Sequence, residues 1–167
     1  MNHNFLLDEN VVNRAFRGGP ALRIWAGIAR NCHRLILSSV LEQKYRAKVR
    51  LLRNRHNIDE EVAYQATRLI NLVLHDSAKS VYVVPRVLED RERVIHHRND
   101  WFLEDIAVEF ATSTGYRVHG DTCLFVSTDR RTREGFNHAN LRVLGFSGNT
   151  IEQAAVAADE PCVEEET

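Results

Sequence analysis

Acidic residues stand close to the ends of several apolar runs. Asp8 directly follows Phe5-Leu6-Leu7, Asp129 follows "LFVST", and Glu42 lies four residues beyond Ser38 in "RLILSSVLE". Asp100 opens "DWFLEDIAVEFATSTG"; Glu104 shares its helical face at i+4, and Asp105 sits about 100° further round. Clustered carboxylates repel one another unless a cation neutralises them. A hard divalent ion such as Mg²⁺ takes oxygen ligands from one or two carboxylates and completes its shell with water and phosphate. Such a site activates water for attack on a phosphodiester and stabilises the charge that develops.

Each acid also has a structural explanation. Asp8 suits the N-cap of a following helix. Ser39-Val40-Leu41-Glu42 reads as a capping box, which would occupy Glu42. Asp129 can start a turn, and Asp100 can cap the helix that it opens.

The elements that must position these acids are legible. "NFLL", "RLILSS", "SVYVVP", "CLFVST" and "LRVLGF" read as strands. Helical spacing follows Asp8 to about Phe16, and "RGGP" interrupts it. Leu22, Trp25, Ile28 and Ala29 mark a second helix, and Leu41, Tyr45, Val49 and Leu52 a long third one. Val62, Ala66, Leu69 and Val73 mark a fourth, with Asn57 and Glu60 as its expected capping box. A fifth ends near Gly115, and "SGNTIEQA" begins a last one. Continuously apolar strands alternating with helices predict an α/β fold, a three-layer α/β/α sandwich with a central parallel sheet. Ligands of such sheets bind outside the C-terminal ends of the strands, where the acids lie.

A chain of 167 residues suits one domain, expected over residues 1–152, with 153–167 an acidic, disordered tail. The net charge of -1 excludes no partner, but its distribution is uneven. Residues 30–55 hold eight Lys and Arg against one acid, Glu42, whereas Thr150 onward holds six acids and no Lys or Arg. The basic stretch fits either a nucleic-acid footprint or a solvated helix face. Cys32, Cys123 and Cys162 are far apart and form no C-x-x-C pair, which predicts a reducing, cytoplasmic setting. No leader or membrane span is expected.

In order, these motifs resemble the PIN-domain ribonucleases. In that family the first strand ends in Asp closely followed by Asn, as Asp8 and Asn10 do in "FLLDENVV". The second strand ends in small polar residues that lead to a helical Glu, as in "LILSSVLEQKY" with Glu42. A third acid sits on a helix running to a Gly and the fourth strand, and that strand ends in Thr or Ser, a spacer and Asp. Ser127 and Asp129 match that ending, and the resemblance runs from about Phe5 to Phe146.

Two departures stand out. Glu9 replaces the family's usual small hydroxyl residue. The third acid is ambiguous: counting back 11 residues from Gly115 gives Glu104, the usual helix-start Asp gives Asp100, and Asp105 stays open.

The resemblance implies an endoribonuclease dependent on Mg²⁺ or Mn²⁺, in which Asp8, Glu42, Asp100 and/or Glu104, and Asp129 hold the metal, with Asp105 the reserve. Asn10 and Ser127 would support the site by hydrogen bonding. Lys44 and Lys48 on the basic helix, with Arg130 and Arg131 beyond Asp129, would hold RNA. The family implies a homodimer and two settings: toxin of a toxin–antitoxin pair, inhibited by a small antitoxin protein, or housekeeping RNA processing. A rival is a PIN-like module that binds nucleic acid or protein without cutting. A phosphatase-like hydrolase with Asp8 as nucleophile would want Asp at position 10, where Asn10 stands.

Other residues read as structural. His96, His97 and His119 lack metal-ligand spacing. Ser38-Ser39 lacks a nucleophile motif, Gly18-Gly19-Pro20 is a turn, and Trp25 is core. Trp101 packs at a helix start or offers a face for base stacking.

Overall fold

The computed structural model describes residues 2–118 and 120–162. His119 and residues 163–167 therefore lie outside the described residues. Five parallel strands form one sheet in the order β3-β2-β1-β4-β5. These are β1 (His3–Leu7), β2 (Arg34–Leu37), β3 (Ser80–Tyr82), β4 (Thr122–Val126) and β5 (Phe146–Asn149). Phe5, Leu6, Leu7, Leu35, Ile36, Leu37, Phe125 and Val126 are all fully buried, as a sheet covered on both faces requires.

Helices α1 (Asn10–Ala15) and α2 (Gly19–Arg30) carry the chain from β1 to β2. Helices α3 (Ser39–Leu52) and α4 (Glu60–His75) carry it from β2 to β3. Both crossovers step the same way along the sheet, and right-handed connection puts them on one face. The chain then reverses direction into β4 on the other side of β1, and α5 (Trp101–Thr112), α6 (Arg130–Phe136) and α7 (Ala139–Arg142) cover the other face. The result is the expected three-layer α/β/α sandwich. The Trp25 and Tyr45 rings meet edge-on at 5.6 Å beneath one face, and Phe125 stacks on Phe136 at 3.9 Å beneath the other.

Several expectations change. "LRVLGF" is not a strand: its first residues close α7, and Gly145, at φ 93°, turns the chain so that β5 begins at Phe146. Strand β3 is also shorter than "SVYVVP", although Val83 N–H still reaches Leu37 C=O at 2.7 Å. Helix α4 is capped by Asp59, whose carboxylate accepts from the Glu61 and Val62 N–H groups, so Asn57 is not the cap.

The chain end differs most. Helix α8 (Ile151–Ala158), opened by a Thr150–Gln153 capping box, packs Ala154, Ala155 and Ala158 against α2. Gly27 makes this approach possible, since a Cβ there would lie 2.4 Å from Ala158 O. Cys162 then forms a disulfide with Cys32. His33 Nε2 hydrogen-bonds Glu160 C=O at 2.9 Å, and His3 Nε2 meets the Glu160 carboxylate at 2.8 Å. Residues 153–162 thus belong to the fold, because small side chains and a covalent tie hold a segment whose composition reads as polar tail. The cysteine argument for a reducing compartment falls with that disulfide. Among the described residues, no helix is long and apolar enough to cross a membrane.

Candidate functional site

The sheet order reverses between β1 and β4. Strands reached from β1 continue to one side, and β4 and β5 lie on the other. A crevice opens outside the strand ends at such a switch point. Asp8 is the residue after β1, and Ser127 is the residue after β4, so both stand at that crevice.

Asp8 is only 7% exposed. Its Oδ2 accepts the Ser127 hydroxyl at 2.8 Å and Asn10 Nδ2 at 3.3 Å, and its Oδ1 accepts Glu9 N–H at 2.8 Å. It does not act as a side-chain cap of α1; the cap position belongs to Glu9. Ser127 is fully buried and also accepts from Asn10 Nδ2 at 3.1 Å and from Asp129 N–H at 3.0 Å. Burial lifts the Asp8 carboxyl from its ordinary 3.8 to about 6. The Ser127 hydroxyl and Glu9 N–H oppose that rise, while the charges of Asp100 and Glu9 add to it.

Asp100 is the acid from α5's start that bears on Asp8. It stands at the N-cap position but makes no side-chain cap, and its Oδ2 accepts the Thr132 hydroxyl at 3.0 Å. Asp129 caps α6, its Oδ1 accepting from Arg131 N–H at 2.9 Å and Thr132 N–H at 3.4 Å. One α6 residue, Thr132, therefore touches both acids. Its hydroxyl, three residues beyond Asp129, was the signal in the sequence for this link.

Glu104 and Asp105 serve the fold instead. The buried Glu104 carboxylate accepts the N–H groups of Val94 and Ile95 at 2.9–3.1 Å. Asp105 accepts Leu88 N–H at 3.1 Å and pairs with Arg93 at 3.1 Å. Burial raises the Glu104 carboxyl, and those two N–H bonds partly offset it. Together they fasten residues 88–95 over α5. The sequence left Glu104 and Asp105 open as alternatives to Asp100 for the third acid; the segment folding over the helix supplies the donors that engage both carboxylates.

Glu42 reaches the same sheet edge but has other partners. Ser38, and not Ser39, caps α3 through a bond from Leu41 N–H at 3.2 Å, so Glu42 is not tied up in a capping box. Its carboxylate is paired with Arg46 at 2.8 Å and accepts the Tyr82 hydroxyl. Arg46, four residues on, was visible from helical spacing alone.

Of the expected RNA contacts, Lys44 lies over the Phe102 ring at 5.0 Å, Lys48 lines a cavity beside α1, and Arg130 is paired with Glu134 at 2.9 Å. Arg131 borders a cavity with His96, His97 and His138. Trp25 is buried core, as expected. Trp101 is half-buried, donates to Ile95 C=O at 2.9 Å and lies under the Arg93 and Arg98 guanidinium groups.

Among the described residues, no three His, Cys, Asp or Glu side chains are grouped to hold one metal ion. The chemistry that remains is a pair. Asp8 and Asp100 are oxygen donors of like charge, the Asp100 charge raises the Asp8 carboxyl, and a cation near both would relieve that repulsion. A two-carboxylate set suits an ion that keeps its water and binds phosphate, and it does not make an all-protein cage.

No protein-family model, curated protein or solved structure matches the chain.

Proposed function

We propose that this chain is an endoribonuclease that hydrolyses RNA phosphodiester bonds with Mg²⁺ or Mn²⁺. The observation that carries the reading is Asp8: a buried carboxylate at the sheet's switch point that feels the charge of a second acid, Asp100. A buried charge repelled by another of its own sign is costly, and groups perturbed in this way cluster at functional sites. The choice of RNA comes from the order of the sequence motifs that resemble the PIN-domain ribonucleases.

Asp8 and Asp100 would hold the cation, with Asp129 beside them. Bound there, it would neutralise the carboxylates, lower the pKa of a water and stabilise charge on the phosphate. Ser127 fixes the Asp8 carboxylate by its hydroxyl, and Asn10 fixes Ser127 in turn. Thr132 orients Asp100.

A second reading is a module that binds RNA without cutting. Glu42 favours it, since Arg46 and Tyr82 already occupy that carboxylate. One assay separates the two. Short structured and single-stranded RNAs are incubated with Mg²⁺, Mn²⁺ or chelator. The nuclease reading expects metal-dependent cutting that vanishes in Asp8→Asn and Asp100→Asn while circular dichroism stays native. Binding without cutting under every metal condition would establish the second reading.

A further inference from the structure

Two cavities flank α1, and cations line both. The first, of about 330 Å³, abuts the switch point: Ser127 and Thr128 border it together with Arg14, Arg17 and Arg133. The second, of about 300 Å³, lies between α1, α3 and the start of α4, with Arg17, Lys48 and Arg55 over Phe16, Leu52 and Ile58. Arg17 lines both. Each holds one acid against its three cations: Glu152 in the first, and in the second Asp59, whose carboxylate is already engaged by the α4 amides.

Most of these cations, Arg14, Arg17, Lys48 and Arg55, are in no ion pair among the described residues, whereas Arg130 is bound to Glu134 and Arg46 to Glu42. Arg133 is oriented into place by donating to Ser127 C=O at 2.8 Å. Like charges grouped around a concave surface attract a polyanion. The first cavity also shares Ser127 with Asp8, so an anion seated there lies next to the candidate catalytic carboxylate.

We propose that a single RNA strand crosses α1 on its Arg14–Arg17 side, with one phosphate in each cavity and Arg17 bridging the two. The proposal rests on the nuclease reading for its choice of RNA and adds the route. It moves the RNA away from Arg130 and Arg131, where the sequence placed it, and keeps Lys48. The strand must bend over a helix about 10–12 Å across, side chains included, which a flexible single strand does and a stiff duplex does not. The apolar floor of the second cavity suits a base face lying beside its phosphate.

The test measures binding apart from cutting. In the Asp8→Asn chain with chelator, a short fluorescein-labelled single-stranded RNA is titrated across salt concentrations. Removing one phosphate-binding cation lowers the slope of log affinity against log salt by about 0.7 for a single strand. Arg14→Ala, Lys48→Ala and Arg17→Ala should each lower it by about 0.7. Arg17→Gln, which keeps the stem and hydrogen bonding, should match Arg17→Ala. Arg68→Ala, on the outer face of α4, should change nothing. Melting curves confirm that each variant is folded. An unchanged slope in both Arg17 variants overturns the route, as does a duplex that binds as tightly as the single strand. Metal-dependent cutting by the wild-type chain with unchanged slopes defeats the route alone. Reduced slopes in a chain that never cuts support the route and defeat the nuclease reading.

Discussion

The Ser127 hydroxyl donates to Asp8 Oδ2 at 2.8 Å and ties the end of β4 to the end of β1 across 119 positions of sequence. It also opposes the burial that lifts the Asp8 carboxyl to about 6. Ser127→Ala removes that opposition, so Asp8 holds its proton to higher pH. The acid limb of a kcat/KM profile for RNA cutting should move to higher pH. The limb staying in place would mean that Asp8 is not the group that titrates.

Asp8 makes the fold less stable as pH rises. Below about pH 4 the folded and unfolded states both hold the proton. Between 3.8 and about 6 the folded state keeps it and the unfolded state has lost it, so the folded chain binds more protons. Stability then falls by about 1.4 kcal/mol per pH unit, on the order of 3 kcal/mol in all. Asp8→Asn lacks this dependence. Urea unfolding of both chains in chelator, at several pH values between about 4 and 7, should show the wild type losing ground to the variant. Parallel curves would contradict the burial argument.

Asp100 and Glu104 should separate cleanly. Glu104→Gln leaves one amide oxygen for two backbone donors and places an NH₂ beside them. It should cost about 1–3 kcal/mol of stability. Asp100→Asn, half-buried with a single hydroxyl partner, should unfold close to the wild type yet lose RNA cutting. The opposite pattern, a stable inactive Glu104→Gln, would return Glu104 to the metal.

Divalent ions should bind in competition with the Asp8 proton. Mg²⁺ or Mn²⁺ added to the apo chain should raise Tm more at pH 7.5 than at pH 5, since ligands must be deprotonated. The difference should vanish in Asp8→Asn. An equal shift at both pH values, or its survival in the variant, would place the ion elsewhere.

These residues show where the sequence was legible and where it was not. Apolar runs placed β1, β2 and β4, because strands covered on both faces have few polar positions. The same rule misread "LRVLGF", since a short apolar run does not distinguish a helix from a strand. Asp8 stood out because strand ends in a parallel sheet share an edge, whereas Asn10 and Ser127 came only with the resemblance to the PIN-domain ribonucleases. The structural partners of Glu104 and Asp105 could not be foreseen, because they come from residues 88–95, which have no periodic pattern. Arg14 and Arg17 went unremarked because their setting is two cavities formed by distant segments. Cys32 and Cys162, 130 positions apart, are brought together only by the packing of α8 on α2.

That packing supplies the last prediction. Gly27→Ala places a Cβ 2.4 Å from Ala158 O, a backbone atom that cannot swing aside as a side chain would. Overpacking of this kind costs about 1–3 kcal/mol. It should also loosen Cys162 from Cys32, because the same segment carries both contacts. The disulfide closes a long loop, and its removal by Cys162→Ser should cost about 2–4 kcal/mol. The two changes share one segment, so their combined cost should fall short of the sum. Because α8 borders the Arg14–Arg17 cavity through Ile151 and Glu152, at the end opposite Ala158 and Cys162, RNA affinity should survive both changes. Chemical denaturation of the single and double variants, with RNA titration of each, measures both. Full additivity would show that α8 docking and the disulfide are independent supports.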